Sequence, residues 1–573
     1  MSIVGFHLVK GITACSTGET VVGDDRRKHL DLLLKYPYPE YLCVFWHMEI
    51  AWSVIIGNIF HLKKEQAEIL LKEGELEGNN FALKYFPDKF ASIRNGSRFK
   101  SPLTLFSNMG QFIDCVFTEN PTVDECIKNA KEAQEFGEKT VNAAKKLDID
   151  ATVLTSPIRI FEKVYIGKYD EKGNTKPKGI DLPTTLVNDS WVATGEDYSE
   201  EFKRDLAHLA YGCVHGGWVE CFHKGHFPNS ADYDVVSAYS NELANLLDFR
   251  QGTFIKTPEY QPKATYGFCL VDLKMTASFH PILYNTDVEN HFTPIGYYED
   301  YEIQKSELDI IDEFKLGTYE IKKGYWWTCN RPYKPLFYIV NWLQQLKKEY
   351  EGFDRDFVKR TLNGLWGMLL QIKREKLPDG TIQQIFGEHF NSIWGSIAEC
   401  NCRLKDFRFA MEAIKEGRKV IYIVVDGITT DEPVSFVDRS KEKQPGEWRL
   451  EANCPSLVIS SGCVAIQDKM GKGEFGMDYN WLVEQINKKP KATEYPETKL
   501  SPMTLAKCIN LDQYDRIGDI EEITKTIDIH AEMKRQYPKE PKNGGELLKG
   551  QYDSVPLDMG MIRNMNLFSK EDE

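Results

Sequence analysis

Residues 418–430 read RKVIYIVVDGITT, and the reading of the chain turns on them. Val420, Ile421, Ile423, Val424 and Val425 form a short β-branched apolar run, the composition of a strand covered on both faces. Asp426 follows directly, and Gly427 is expected to let the chain turn sharply. A carboxylate raised on a rigid apolar strand at a tight turn is costly unless something compensates it. A divalent cation is a common compensator. A strand-to-turn aspartate also occurs in any α/β protein, and this stretch alone favours that plainer reading.

The whole chain sets bounds. Its 573 residues are too many for one core, so two to four domains are expected. The hydrophobic fraction of 42% and charged fraction of 27% are those of an ordinary globular protein. No run of about twenty apolar residues exists, so no membrane span is expected. The start, MSIVGFHLVKG, lacks the charged region and uninterrupted apolar core of a secretory signal. The 13 cysteines include no CxxC pair, which fits reduced thiols in the cytoplasm rather than disulfides or zinc. Net charge is −15, whereas a protein gripping nucleic acid over its whole surface should be basic. Any positive charge for nucleic acid must therefore be confined to a groove.

Upstream, Tyr233 to Val236 reads as a strand, so Asp234 also sits at a strand end. Before it, Gly216 and Gly217 would let another backbone approach, such as a nucleic-acid strand, although taken alone the pair favours a simple β-turn. Two helices are expected over 336–350 and 355–371. Lys347, Lys348, Arg355, Lys359 and Arg360 concentrate there, and Lys359, Asn363 and Trp366 share about one face. A solvated basic face accounts for the lysines but less well for the Asn and Trp. A further helix over 392–415 delivers the chain into the Val420 strand.

Nearer the N-terminus, residues 41–60 suggest a buried strand followed by another strand or a helix, and 125–147 an amphipathic helix. Asp148 and Asp150 read better as a solvated helix end than as a metal pair. Residues 168–183 read as a loop or domain boundary. Short strands are expected within 267–273, 319–327 and 456–467, and the tail from 495 is polar.

Two strand-end carboxylates separated by a lysine-bearing helical insert are the parts that phosphoryl transfer needs. The carboxylates hold paired magnesium ions, cations on a nearby helix bind a triphosphate, and an aromatic stacks on a base. In order and wording the motifs resemble a family B DNA polymerase of the protein-primed type found in phages and linear plasmids. The family's first palm motif is DxxSLYP, and residues 234–240 read DVVSAYS. Its fingers motif is KxxxNSxYG, and residues 359–367 read KRTLNGLWG. Its second palm motif is YxDTDS, and residues 422–427 read YIVVDG. Its YxGG motif is matched loosely by VHGG at 214–217. The resemblance covers about residues 200 to 475.

The resemblance implies roles for these positions. Asp234 and Asp426 would be the catalytic metal-binding pair, with the Val235 carbonyl as a further ligand. Two Mg2+ ions are implied, with Mn2+ as a substitute. Tyr239 would stack under the incoming sugar and exclude a 2′-hydroxyl. Lys359 and Lys347 would contact the triphosphate, and Asn363 and Trp366 would line the nascent base pair. Gly216, Gly217 and Tyr422 would lie at the DNA, and KGEF at 472–475 echoes a basic motif near the thumb.

Several positions depart from the family. Val424 replaces the first acid of DTD, Ser240 replaces Pro, Gly364 replaces Ser and Trp366 replaces Tyr. Family exonucleases need DxE, NxxFD and YxxxD. Residues 6–10 contain no acid, Met48 and Trp52 stand where Asn and Asp belong, and 125–129 matches the third poorly. Without those carboxylates a metal pair has no ligands.

The expected fold is α+β: a right-hand polymerase of palm, fingers and thumb, preceded by a degenerate exonuclease-like α/β domain of ribonuclease H-like type. Expected spans are 1–190 for that domain, 191–335 for the first part of the palm with an insertion, 336–372 for the fingers, 373–475 for the second part of the palm, and 476–573 for the thumb and C-terminal region. The implied function is DNA-templated DNA synthesis without proofreading, in the cytoplasm of a host cell. Its partners would be primer–template DNA, deoxynucleoside triphosphates and a terminal protein as primer. Two alternatives stay open: a catalytically inactive polymerase-derived scaffold that binds nucleic acid, and a reverse transcriptase or untemplated nucleotidyltransferase on the same palm.

Overall fold

The computed structural model describes residues 2–36, 40–77, 81–86, 90–95, 103–105, 117–118, 120–147, 198–286, 291–376, 382–386, 390–472 and 477–565. Asp148, Asp150, the 168–183 run and residues 473–475 of KGEF lie outside the described residues.

The N-terminal domain forms around a mixed sheet of eight described strands. Ser2–Val9 and Tyr41–Phe45 run parallel at its centre, Val4 opposite Cys43, because each is an apolar run buried on both faces. A helix, Met48–Val54, and a π-helical turn, Ile55–Phe60, follow the second strand. The 24-residue helix Val123–Lys146 crosses one face of the sheet. Its start is closed by a reciprocal cap. Thr122 Oγ1 accepts the Glu125 N–H at 3.2 Å, and Glu125 Oε2 accepts the Thr122 N–H at 2.7 Å. Gly5 permits the close packing, since a Cβ there would lie 1.8 Å from the Ala130 carbonyl oxygen.

The stretch at 418–430 folds as a hairpin. Val420–Val424 and Gly427–Thr430 pair antiparallel, with Val424 opposite Gly427, so Val425 and Asp426 make the turn. The residue in left-handed backbone is Val425, at φ 57°, and not Gly427 as the sequence suggested. A β-branched residue there costs of order 1–3 kcal/mol, so the surroundings must hold it. Val425 donates its N–H to the Trp218 carbonyl at 2.8 Å, and Gly217 leaves room for its side chain.

The hairpin belongs to a five-stranded antiparallel sheet in the order Trp448–Asn453, Ala231–Val235, Gly427–Thr430, Val420–Val424, Val219–Cys221. Helix Ser392–Lys415 lies behind it and buries residues on every face, as a helix does at the middle of a large body. Two helices, Phe337–Glu349 and Gly352–Leu369, pack as a pair beside the sheet. Ahead of them an antiparallel sheet of Gly252–Lys256, Gly317–Cys329, Tyr266–Met275 and Gly296–Gln304 fills the place read as an insertion. After them the ribbon of Ile372–Lys376 and Ile382–Phe386 occupies the short span before the next helix. In the C-terminal region Glu494–Pro502 pairs with Ile520–Asp528, and Gln551–Asp553 returns to pair with His223–Phe227.

Candidate active site

Asp234 lies near the end of Ala231–Val235 and pairs in register with Gly427, the residue after Asp426. Strand alternation sends its neighbours inward. Tyr233 packs on Phe409 with ring centroids 5.1 Å apart, and Val235 packs on Cys402. Asp234 faces the other way and stays one-third exposed.

A cleft of about 480 Å³ opens on that side, and Asp234, Val235, Tyr239, Lys347, Lys359, Asn363, Trp366 and Asp426 all line it. The sheet supplies the carboxylates, and helix Ala238–Asn245 supplies Tyr239. One face of Gly352–Leu369 supplies Lys359, Asn363 and Trp366. Ser237, at φ 55°, is a second left-handed non-glycine beside the carboxylates, and its Oγ accepts from Lys347 Nζ at 3.0 Å. Tyr239 leans on Trp366 with centroids 4.6 Å apart. Trp366 Nε1 donates to the Gly395 carbonyl at 3.3 Å, which fixes the ring.

The electrostatics are local, as the net charge demands. Lys347, Lys359, Arg355 and Arg449 bring four cations to a cleft that holds two aspartates. Burial, together with the charges of Lys359, Arg355 and Arg449, pushes the Lys347 ammonium down to about 8, while Asp234 opposes the shift. Burial holds the Tyr239 phenol far above its ordinary range, so it stays neutral. Behind the hairpin, Asp406 is fully buried with neither carboxyl oxygen hydrogen-bonded. Burial first, then the Asp426 charge, pushes its pKa up from the ordinary carboxylate range.

Two charged cleft residues, Arg355 and Arg449, escaped the sequence reading of the site. Arg355 sits one helical turn before Lys359, a spacing that was visible. Arg449 lies opposite Asp234 on the neighbouring strand, with Nη2 3.8 Å from Asp234 Oδ2, and also pairs with Glu451. No motif marks it.

Three expected DNA contacts are not in the cleft. Gly216 and Gly217 lie beneath the hairpin, where Arg403 Nη1 donates to the Gly216 carbonyl at 2.9 Å and Nη2 to Glu307 Oε1 at 2.7 Å. The Tyr422 ring is fully buried, packed among Phe227, Ile421 and Val458.

Among the described residues no cluster of three or more His, Cys, Asp and Glu side chains is arranged to hold a metal ion. Asp234, Asp426 and the Val235 backbone nevertheless suit magnesium. That ion commonly takes one or two carboxylates and completes its shell with water and substrate phosphates rather than with a protein cage.

The N-terminal counterpart is different. His7, Trp46, His47, Phe117 and Asn129 converge around a cavity of only about 10 Å³, and no carboxylate is among the described residues lining it. The rings interlock: His7 lies 4.7 Å from Trp46, and Phe117 lies 5.5 Å from Trp46 and 5.3 Å from His47. Burial pushes His7 down to about 4 and lowers His47 as well, so both are neutral. Glu125 serves the helix cap instead.

The architecture is that of a right-hand polymerase, with palm, fingers and thumb. In sequence, neither a family model nor a curated protein matches the chain. In structure it is similar to phi29 DNA polymerase complexed with primer-template DNA, with a TM-score of 0.58 and 11% identity. The same polymerase complexed with single-stranded DNA gives 0.57 and 12%, and its ternary complex with incoming nucleotide gives 0.56 and 11%. Each alignment covers 92% of this chain and 99% of the other. At that identity the likeness is one of fold.

Among the described residues no helix is long and apolar enough to cross a membrane, and all cysteines are free.

Proposed function

We propose that this protein is a DNA-templated DNA polymerase working by two-metal nucleotidyl transfer. One observation carries the reading: Asp234, Asp426, Tyr239, Lys359, Asn363 and Trp366, drawn from three separate segments, meet in a single cleft. Mg2+ ions, or Mn2+ in their place, fit at Asp234, Asp426 and the Val235 carbonyl. Bound there, they would lower the charge cost of attack by a primer 3′-hydroxyl and of pyrophosphate departure.

The chain's own residues account for the rest. Lys359, Lys347 and Arg355 attract and orient the triphosphate. Asn363 and Trp366 form a wall for the nascent base pair. Tyr239, backed by Trp366, gives the sugar a stacking surface and leaves little room for a 2′-hydroxyl, so deoxynucleotides are preferred. The phi29 structures hold primer-template DNA and incoming nucleotides, and likeness of fold supports the same partners here. A terminal protein as primer belongs to the same proposal, on the resemblance of the motifs alone. Proofreading is absent in this reading, supported by the aromatic filling of the N-terminal pocket.

Extension of a labelled DNA primer with Mg2+ or Mn2+ tests the proposal. Addition of only the complementary deoxynucleotide on a DNA template, lost in Asp234→Ala, is expected. Addition without a template, or copying of RNA alone, would change the reaction class. DNA binding without any extension would leave a scaffold.

A further inference from the structure

We propose that the long helix Val123–Lys146 of the exonuclease-like domain is a positioning brace for helix Gly352–Leu369, and so sets deoxynucleotide affinity. The link to affinity rests on the polymerase reading above; the brace itself does not.

The long helix has two halves with different partners. Asn129 lines the filled pocket, and Ala133 and Phe136 pack on Leu42, Val44 and Trp46 of their own domain. Ala143, Ala144 and the cap residue Leu147 leave that domain and join one buried cluster with Phe357, Val358 and Leu362. Contacts run the other way too. Phe353, in the first turn of the second helix, packs into the N-terminal cluster, with its ring 5.5 Å from Phe136 at 85°. Lys146 forms an ion pair with Asp354, and its ammonium lies 5.3 Å from the Tyr350 ring centroid.

These contacts bracket the start of the helix that carries Arg355, Lys359 and Asn363 into the cleft. A helix held at its root by an apolar cluster on one side and an ion pair on the other has less freedom to lose when a triphosphate binds.

The test uses the full-length chain with Phe353→Ala, Lys146→Glu, and Lys146→Glu combined with Asp354→Lys. Amide hydrogen exchange is read over 352–369, with 420–430 as internal reference, alongside KM and kcat for a deoxynucleotide. Both single variants are expected to speed exchange over 352–369 alone. They should raise KM about three- to tenfold with kcat within about twofold, the scale of an aromatic pair's contribution. The reversed pair should restore both. Unchanged exchange and KM in both single variants, a fall in kcat at constant KM, or no restoration by the reversed pair would overturn the brace. Should Phe353→Ala not fold, Lys146→Glu and its reversal decide alone. If the wild-type chain extends no primer, the exchange measurement still decides the brace while the polymerase reading falls by itself.

Discussion

The Val235 N–H is donated to the Asp426 carbonyl across 3.0 Å, so the main-chain ladder itself sets Asp426 beside Asp234. A pair placed by the backbone ladder keeps its spacing without relying on side-chain contacts. The same rigidity depends on the loop beneath. Gly216 is at φ 92°, and a Cβ there would lie 2.7 Å from His291 Nε2. At Gly217 an added Cβ would lie 3.2 Å from Val425 Cγ1. Gly216→Ala is therefore expected to cost about 1–3 kcal/mol and Gly217→Ala less. Denaturant unfolding of both variants measures this, and the reverse order would contradict it.

Lys347 gives a pH dependence. Its ammonium is held down to about 8, so it is charged below that pH and neutral above it. The value kcat/KM for a deoxynucleotide reports the free enzyme and should fall as pH rises through about 8. Lys347→Arg keeps its charge throughout, so the fall should move to higher pH. A profile that is flat across this range in the wild type, or identical in the variant, would rule Lys347 out as the titrating group.

Glu399 gives a stability dependence of known sign. It is buried beside Arg403, whose Nη1 lies 3.6 Å from Glu399 Oε1. Burial, with the nearby Glu307 charge adding to it against Arg403, raises it to about 7. A carboxyl raised in the folded state contributes stability that is fully present below its unfolded value and is lost as pH climbs through the folded one. Glu399→Gln should thus leave unfolding free energy nearly unchanged at pH 4 and raise it at pH 8, by up to about 3 kcal/mol. Equal effects at both pH values would count against the shift.

The filled N-terminal pocket predicts silence. A labelled primer incubated with the protein and Mg2+ or Mn2+, but no nucleotides, should remain full length. Metal-dependent shortening that co-purifies with the chain and persists in Asp426→Ala would contradict the proposed absence of proofreading.

Much of the cleft was legible in the sequence because its parts obey local periodicity. A β-branched run announces the strand before Asp426, and i, i+4 spacing puts Lys359 and Asn363 on one face. What was not legible depends on contacts between distant segments. Gly427 looked like the turn residue, but tertiary support from Trp218 lets Val425 take the left-handed backbone instead. Tyr422 matched a motif by letter, while its burial depends on strands from 220 and 458. Arg449 enters only because Trp448–Asn453 pairs with Ala231–Val235. The Lys146–Asp354 pair joins positions 208 residues apart, and no local pattern carries that information.

We propose that Asp234 and Asp426 form a working metal pair although Val424 stands in the first acid's place. The most direct measurement is single-turnover incorporation of one complementary deoxynucleotide into a primed DNA template, with Mg2+ and with Mn2+, by the wild type, Asp426→Ala and Val424→Asp. Incorporation by the wild type, a loss of about a thousandfold or more in Asp426→Ala, and retained incorporation in Val424→Asp are expected. No incorporation by a wild-type protein that still binds the primed template, or equal rates with and without the Asp426 carboxylate, would contradict the proposal.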